Sequence, residues 1–180
     1  MSFSSRIKEE LSRHMSPARH CQIAEIAAIL SLCGRIQISG DDHYSIKIHT
    51  ENVTVARKCF TLLRKTFNIE TKIFVRENSH LKRVKVYTIE ITDPEEIQVI
   101  FQALRLVTNS IDQGTLVLSD MLVVQQNCCK RAFIRGAFLA SGSISDPEKG
   151  YHFEIVCPDV RKAEQLQVVI RSFSVDAKIV

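Results

Sequence analysis

Apolar residues recur along this chain at helical and then strand spacing, in one order that is used twice. Phe3, Ile7 and Leu11 stand four apart, which predicts a short amphipathic helix with Ser4 or Ser5 as its N-cap. A loop containing Pro17 ends it. Residues 23–33 predict a second helix, rich in Ala24, Ala27, Ala28 and Ser31 and stopped by Gly34. A strand follows at 35–39, then a turn at Gly40, Asp41 and Asp42. Residues 44–50 alternate strictly, with Tyr44, Ile46 and Ile48 on one face and Ser45, Lys47 and His49 on the other. Asn52 or Thr50 caps the next helix, whose buried stripe is Val55, Ala56, Cys59 and Leu63. Strands are expected at 69–76 and 81–92, the second changing phase between Val86 and Tyr87, which predicts a bulge or an edge position. Pro94 opens a further helix with Ile97, Ile100, Phe101 and Leu104 inward and Glu95 and Glu96 in its first turn. Residues 109–127 are long enough to cross between two halves, and TLVLSDMLVV within them fits a strand or a short helix.

The stretch 128–155, CCKRAFIRGAFLASGSISDPEKGYHFEI, begins the pattern again. Ala132, Phe133, Gly136, Ala137 and Ala140 recur at helical spacing, and such small residues let a second helix come close. Gly142 is expected to end this helix in the left-handed conformation that glycine adopts cheaply. A strand at 151–157, a helix at 159–173 and a final strand at 176–180 complete the copy. Gly34 and Gly142 lie at the same offset, 108, as Cys21 and Cys129. Tyr44 then matches Tyr151, Ala56 matches Ala163, and Phe67 matches Phe173, the small drift falling in turns. The fold class is therefore α+β, with two pseudo-symmetric αββαββ(α) repeats, their small-residue helices packed side by side and their sheets forming a saddle. The boundaries are 1–20 for an N-terminal helix and linker, 21–108 for the first repeat, 109–127 for a linker and 128–180 for a truncated second repeat. The second copy has no counterpart of the 81–92 strand, so a fragment, or an edge covered by another chain, is expected.

With 180 residues, 45% hydrophobic and 24% charged, the chain has the make-up of a globular protein. No apolar run reaches the roughly 18 residues of a membrane span, and the N-terminus has no signal-peptide core, so neither membrane nor export is expected. A net charge of +4 permits nucleic-acid contact without announcing it. None of the six cysteines sits in a C-x-x-C pair, and the histidines show no ligand spacing. Cys128 and Cys129 are read as small buried thiols of a cytoplasmic protein, with no metal and no cofactor expected. Arg131 and Arg135, one turn apart, are assigned a structural role in preference to anion binding.

The segments IAAILSLCG (26–34) and IRGAFLASG (134–142) resemble the two nine-residue helices of LAGLIDADG homing endonucleases. More closely, SFSSRIKEELSR, TENVTVARK and the whole of 128–155 resemble the WhiA family of bacterial sporulation and cell-division transcription regulators. The likeness runs from Ser2 to the last residue. It implies a LAGLIDADG-like saddle with two central helices, and a non-catalytic regulatory role in the cytoplasm or at the nucleoid. Members of that family continue into a helix-turn-helix domain that nothing here resembles. DNA is thus the implied partner, mainly through that missing domain, with transcription-machinery proteins as further partners.

In the endonucleases the eighth position of each nine-residue motif is an acid that holds divalent metal. Here those positions are Cys33 and Ser141, which supply no charge for a hard cation. Asp41, Asp42 and Asp146 lie farther on and would need a different geometry. No catalytic residue is therefore expected. The endonucleases lay a concave sheet face on the duplex, and the residues of this chain suited to phosphates there are Lys47, His49, Lys72, Arg76, Arg83 and Lys85. An ordinary solvated strand face accounts for the same residues, and both readings stay open. In the second copy His152 and Glu154 match Ser45 and Lys47, and Glu154 would repel a phosphate. Ala28, Gly136 and Ala140 are the candidate contacts between the central helices.

Overall fold

The computed structural model describes residues 1–40, 43–78, 84–108 and 114–180. Ser2, rather than Ser4 or Ser5, caps the first helix, α1 (Phe3–Arg13), its hydroxyl accepting from the Ser5 N–H at 3.1 Å. α2 (Arg19–Cys33) is buried from Cys21 to Ser31 on nearly every side, with Ile23 alone partly exposed in that run. A helix apolar nearly all round belongs in the middle of a domain, and α2 is the centre of this one. It runs directly into β1 (Gly34–Ser39), which pairs with β2 (His43–Thr50). Asn52 caps α3 (Val53–Phe67), which ends on Asn68 in the left-handed conformation. β3 (Lys72–Asn78) and β4 (Val84–Ile91) follow, then α4 (Pro94–Leu104), with Asp93 accepting from the N–H groups of Glu95 and Glu96.

The main sheet is antiparallel, in the order β1-β2-β4-β3. Ile46, Ile48, Ile89 and Ile91 point to the helices and are buried, each such side chain contributing about 1.5–3 kcal/mol. β4 is a central strand, and its register with both neighbours is continuous through Val86 and Tyr87, so the expected bulge or edge is absent there. Its phase changes because Tyr87 joins the half-buried residues while Lys85 at the strand's end reaches solvent.

The crossing segment holds both structures that its sequence suggested. β5 (Leu106–Thr108) pairs with β6 (Leu116–Leu118), and a 3-10 turn at Leu122–Val124 leads to the second central helix. Gly114 accepts from the Ile36 N–H at 3.0 Å, so this segment also covers the outer side of β1.

The second copy comprises α5 (Asn127–Ser141), β7 (Gly142–Ile144), β8 (Phe153–Ile155) and α6 (Val160–Arg171). Its share of the saddle is the β7-β8 hairpin. The strand expected at 176–180 does not form. Instead the Ala177 carbonyl accepts from the side chains of Gln167 and Arg171, which tie the segment to α6.

Neither Gly34 nor Gly142 is left-handed, contrary to the expectation for Gly142; both are extended, with φ near −86° and −83°. Their need for glycine is steric. A Cβ on Gly142 would lie 2.7 Å from the Phe138 carbonyl oxygen, and one on Gly34 would lie 2.6 Å from that of Leu30. Each glycine lets its helix turn straight into a strand.

Candidate nucleic-acid interface and helix-end site

The two central helices meet at Gly136. A Cβ there would stand 2.4 Å from the Glu25 carbonyl oxygen and 3.1 Å from Ala28 Cβ, so only glycine permits this approach. Ala28 and Gly136 are buried in the contact, and Ala140 is half-buried farther along α5. Beside the crossing, the buried Glu25 carboxylate accepts from Arg135 at 2.9 Å and lies 3.2 Å from the buried Lys58 ammonium. Lys58 also donates to the His14 carbonyl at the end of α1. Burial pushes the Lys58 pKa down, and the Glu25 charge pulls against that shift. This ion network joins α1, α2, α3 and α5, and it places Arg135 in the structural role its spacing suggested. Arg131 instead lies over the Phe173 ring.

Cys33 and Ser141 close α2 and α5. The Cys33 thiol donates to the Ile29 carbonyl at 3.1 Å, and burial pushes its pKa up to about 12 against the lowering charge of Lys8. The Ser141 hydroxyl donates to the Val156 carbonyl at 2.7 Å. Lys8 of α1, its ammonium over the Phe138 ring, adds a positive charge to these helix ends. A neutral thiol, a committed hydroxyl and an ammonium make a poor seat for a hard dication. Asp146 is engaged in capping the Glu148 N–H, and Asp41 and Asp42 lie outside the described residues.

Strand pairing sorts the basic residues by face. Arg35 pairs with Lys47, His49 with Thr88, Lys47 and Lys72 with Glu90, Phe74 with Thr88, and Arg76 with Val86. All of these lie on the sheet face turned away from Ile46, Ile48, Ile89 and Ile91, because side chains alternate along a strand. Lys47, His49, Lys72 and Arg76 therefore share one face. Lys85 does not: it pairs with Glu77, in phase with Ile89, and belongs to the opposite face. Arg83 lies outside the described residues. Arg35 and the exposed Phe74 complete the face and were missed by sequence reasoning, although Arg35 alternates with the apolar Ile36.

Burial first, then the charges of Lys47, Arg76 and Arg35, hold the His49 imidazole below its usual range. The field on this face is positive, offset by the ion pair between Lys47 and Glu90 at 3.5 Å. On β8, His152 and Ser143 engage the exposed Glu154 carboxylate and hold its pKa down, so that hairpin presents a negative group.

At the opposite end of the central helices the structure gathers what the sequence left scattered. His20, Cys21, Cys128 and Cys129 place their nitrogen and sulfur atoms within 4.8 Å of one another. His20 Nδ1 lies 3.0 Å from Cys129 Sγ and 3.5 Å from Cys21 Sγ. The reading of Cys128 and Cys129 as two buried thiols needs correction: Cys129 is buried, but Cys128 is exposed, and both have partners from α2. Burial, then the neighbouring Cys21 and Cys128, push the Cys129 pKa up to about 11.

No helix among the described residues is long and apolar enough to cross a membrane. Two family models match, the WhiA N-terminal LAGLIDADG-like domain over residues 19–107 and the WhiA LAGLIDADG-like domain over residues 130–180. A probable cell division protein WhiA of Lachnoclostridium phytofermentans is 49% identical over 180 residues, covering 100% of this chain and 58% of its own length. The namesake in Lachnospira eligens is 40% identical over 180 residues, covering 100% of this chain and 56% of its own. The chain thus spans little more than half the length of these relatives. Among solved structures, the N-terminal LAGLIDADG domain of WhiA superposes with a TM-score of 0.73 at 19% identity, covering 99% of this chain and 78% of that one. The homing endonuclease I-DmoI, solved with DNA and manganese, superposes with a TM-score of 0.59 at 12% identity, covering 90% and 82%. At those identities the structures speak for the LAGLIDADG-like fold alone. Taken with the family models and the relatives, they establish that the chain belongs to the WhiA family.

Proposed function

We propose that this chain is the non-catalytic regulatory portion of a DNA-binding transcription regulator of cell division and sporulation. The observation that carries this reading is the pair of helix ends. Where the endonuclease pattern places two metal-binding acids, Cys33 and Ser141 spend their polar hydrogens on backbone carbonyls, beside the ammonium of Lys8. Without charge to hold a dication, no nucleophile is activated and no developing phosphate charge is neutralised. The scaffold then serves to position the rest of the protein. Sequence readout falls to a helix-turn-helix segment outside residues 1–180, and contacts with the transcription machinery fall to the outer surfaces, in the cytoplasm at the nucleoid. The same proposal keeps the division into 1–20, 21–108, 109–127 and 128–180. Its test is incubation of supercoiled plasmid with the chain and magnesium or manganese. Intact plasmid is the expected result, and chelator-sensitive nicking would overturn the reading.

A second reading has its own support. The open sheet face carries Arg35, Lys47, Lys72 and Arg76 around the exposed Phe74, a basic surface with an aromatic side chain among the cations. I-DmoI was solved with its DNA, which makes duplex DNA the ligand to try. Duplex binding measured at two salt concentrations decides: affinity that falls steeply with salt supports an auxiliary DNA contact, and no affinity at low salt dismisses it.

A further inference from the structure

The two central helices begin alike. His20 and Cys21 are the second and third residues of α2, and Cys128 and Cys129 are the second and third residues of α5. The internal repeat relates Cys21 to Cys129, and the same offset relates His20 to Cys128. The four side chains therefore converge where the repeat axis passes between the helix starts, at the end remote from Cys33 and Ser141. We propose that His20, Cys21, Cys128 and Cys129 form a tetrahedral site for a zinc-type cation that clips the two halves together.

The donor set is one nitrogen and three sulfurs, a combination that suits borderline-soft, four-coordinate zinc and not magnesium. Zinc–sulfur bonds of about 2.3 Å place tetrahedral donors roughly 3.8 Å apart. The four donors already lie within 4.8 Å of one another, so small side-chain rotations close the shell.

Charge points the same way. A dication with three thiolates carries one net negative charge, which must be met locally. Neither helix start has a side-chain cap or an acidic residue in its first turn, so neither first turn sets an anion of its own against the positive end of its helix. Each helix start supplies roughly half a positive charge. Arg19 and Lys130 flank the ligands in sequence, the Arg19 guanidinium donating to the Thr66 carbonyl and lying over the Phe67 ring. A bound cation would join α2 to α5 across the central helix contact, as Gly136 and Arg135 do farther along the same helices.

The test titrates the reduced, metal-free 180-residue chain with cobalt(II), then displaces it with zinc. The expected result is one equivalent of cobalt with the intense visible bands of tetrahedral thiolate coordination, bleached by zinc. Cys128→Ser and His20→Ala weaken zinc binding by about tenfold or more, while Cys157→Ser, outside the cluster, binds as the parent does. Circular dichroism on Cys128→Ser, whose side chain is exposed, separates lost ligation from lost folding. Zinc at excess over its dissociation constant also raises the melting temperature of the parent, and raises that of Cys128→Ser less. Absence of the cobalt bands, binding indifferent to Cys128 and His20, or a disulfide within the cluster that survives reduction would each overturn the proposal.

Discussion

Arg135 donates two hydrogen bonds to Glu25, at 3.2 and 2.9 Å, and so ties the second half of the chain to the first inside the core. Lys58 stands on the other side of the same carboxylate. Glu25→Gln would leave a buried ammonium and a guanidinium without their counter-charge. The expected loss is about 3–5 kcal/mol, read as a lower urea midpoint. Replacing Glu25, Lys58 and Arg135 together by Met or Leu should lose far less, since no charge is then left uncompensated.

Gly136→Ala should destabilise by about 1–3 kcal/mol and Gly136→Leu by more, because the added carbons meet the Glu25 backbone rather than a movable side chain. Thermal melting of the two variants checks the order. An unchanged melting temperature for Gly136→Leu would mean that the helices do not approach here.

Stability should fall as the pH rises above about 9. Folding raises the pKa of Cys33 to about 12 and that of Cys59 well above its ordinary value of 9.0, by burial first in both cases. In the window above 9 the unfolded thiols have lost their protons while the folded ones keep them. The folded state then binds more protons, and each such thiol contributes a slope of about −1.4 kcal/mol per pH unit. Urea melts of the parent and Cys33→Ala between pH 8 and 10, read on the slope alone, test the assignment.

If the open sheet face touches DNA, Lys47→Ala and Arg76→Ala should each lower the salt slope of duplex affinity by about one. Lys85→Ala should leave both affinity and slope unchanged, because Lys85 pairs with Glu77 on the other face. A loss at Lys85 equal to that at Lys47 would remove the face assignment.

Much of this was legible in the residues. Strict alternation in β2 announced which way Lys47 and His49 point, and the two glycine-terminated helices announced the repeat. The errors share a cause, which is that they depended on neighbours. Lys85 was placed on the wrong face because a single strand's phase is ambiguous until its partners fix it. Gly142 was read as a left-handed cap because its steric conflict is with Phe138, visible only once the helix turns directly into β7. His20 and Cys21 were not joined to Cys128 and Cys129 because spacing is read along the chain, whereas these four side chains meet across the two halves.

The ion network also settles what the two halves have become to each other. At the repeat offset, the counterpart of Glu25 is Phe133, that of Arg135 is Ala27 and that of Gly136 is Ala28. A symmetric dimer of first halves would bring Ala28 where Gly136 now sits, with its Cβ driven into the Glu25 carbonyl, and each Glu25 would lose its guanidinium. The two halves are therefore not interchangeable: Gly136 and Arg135 of α5 answer the Glu25 backbone and carboxylate of α2, and a pair of first halves would possess neither.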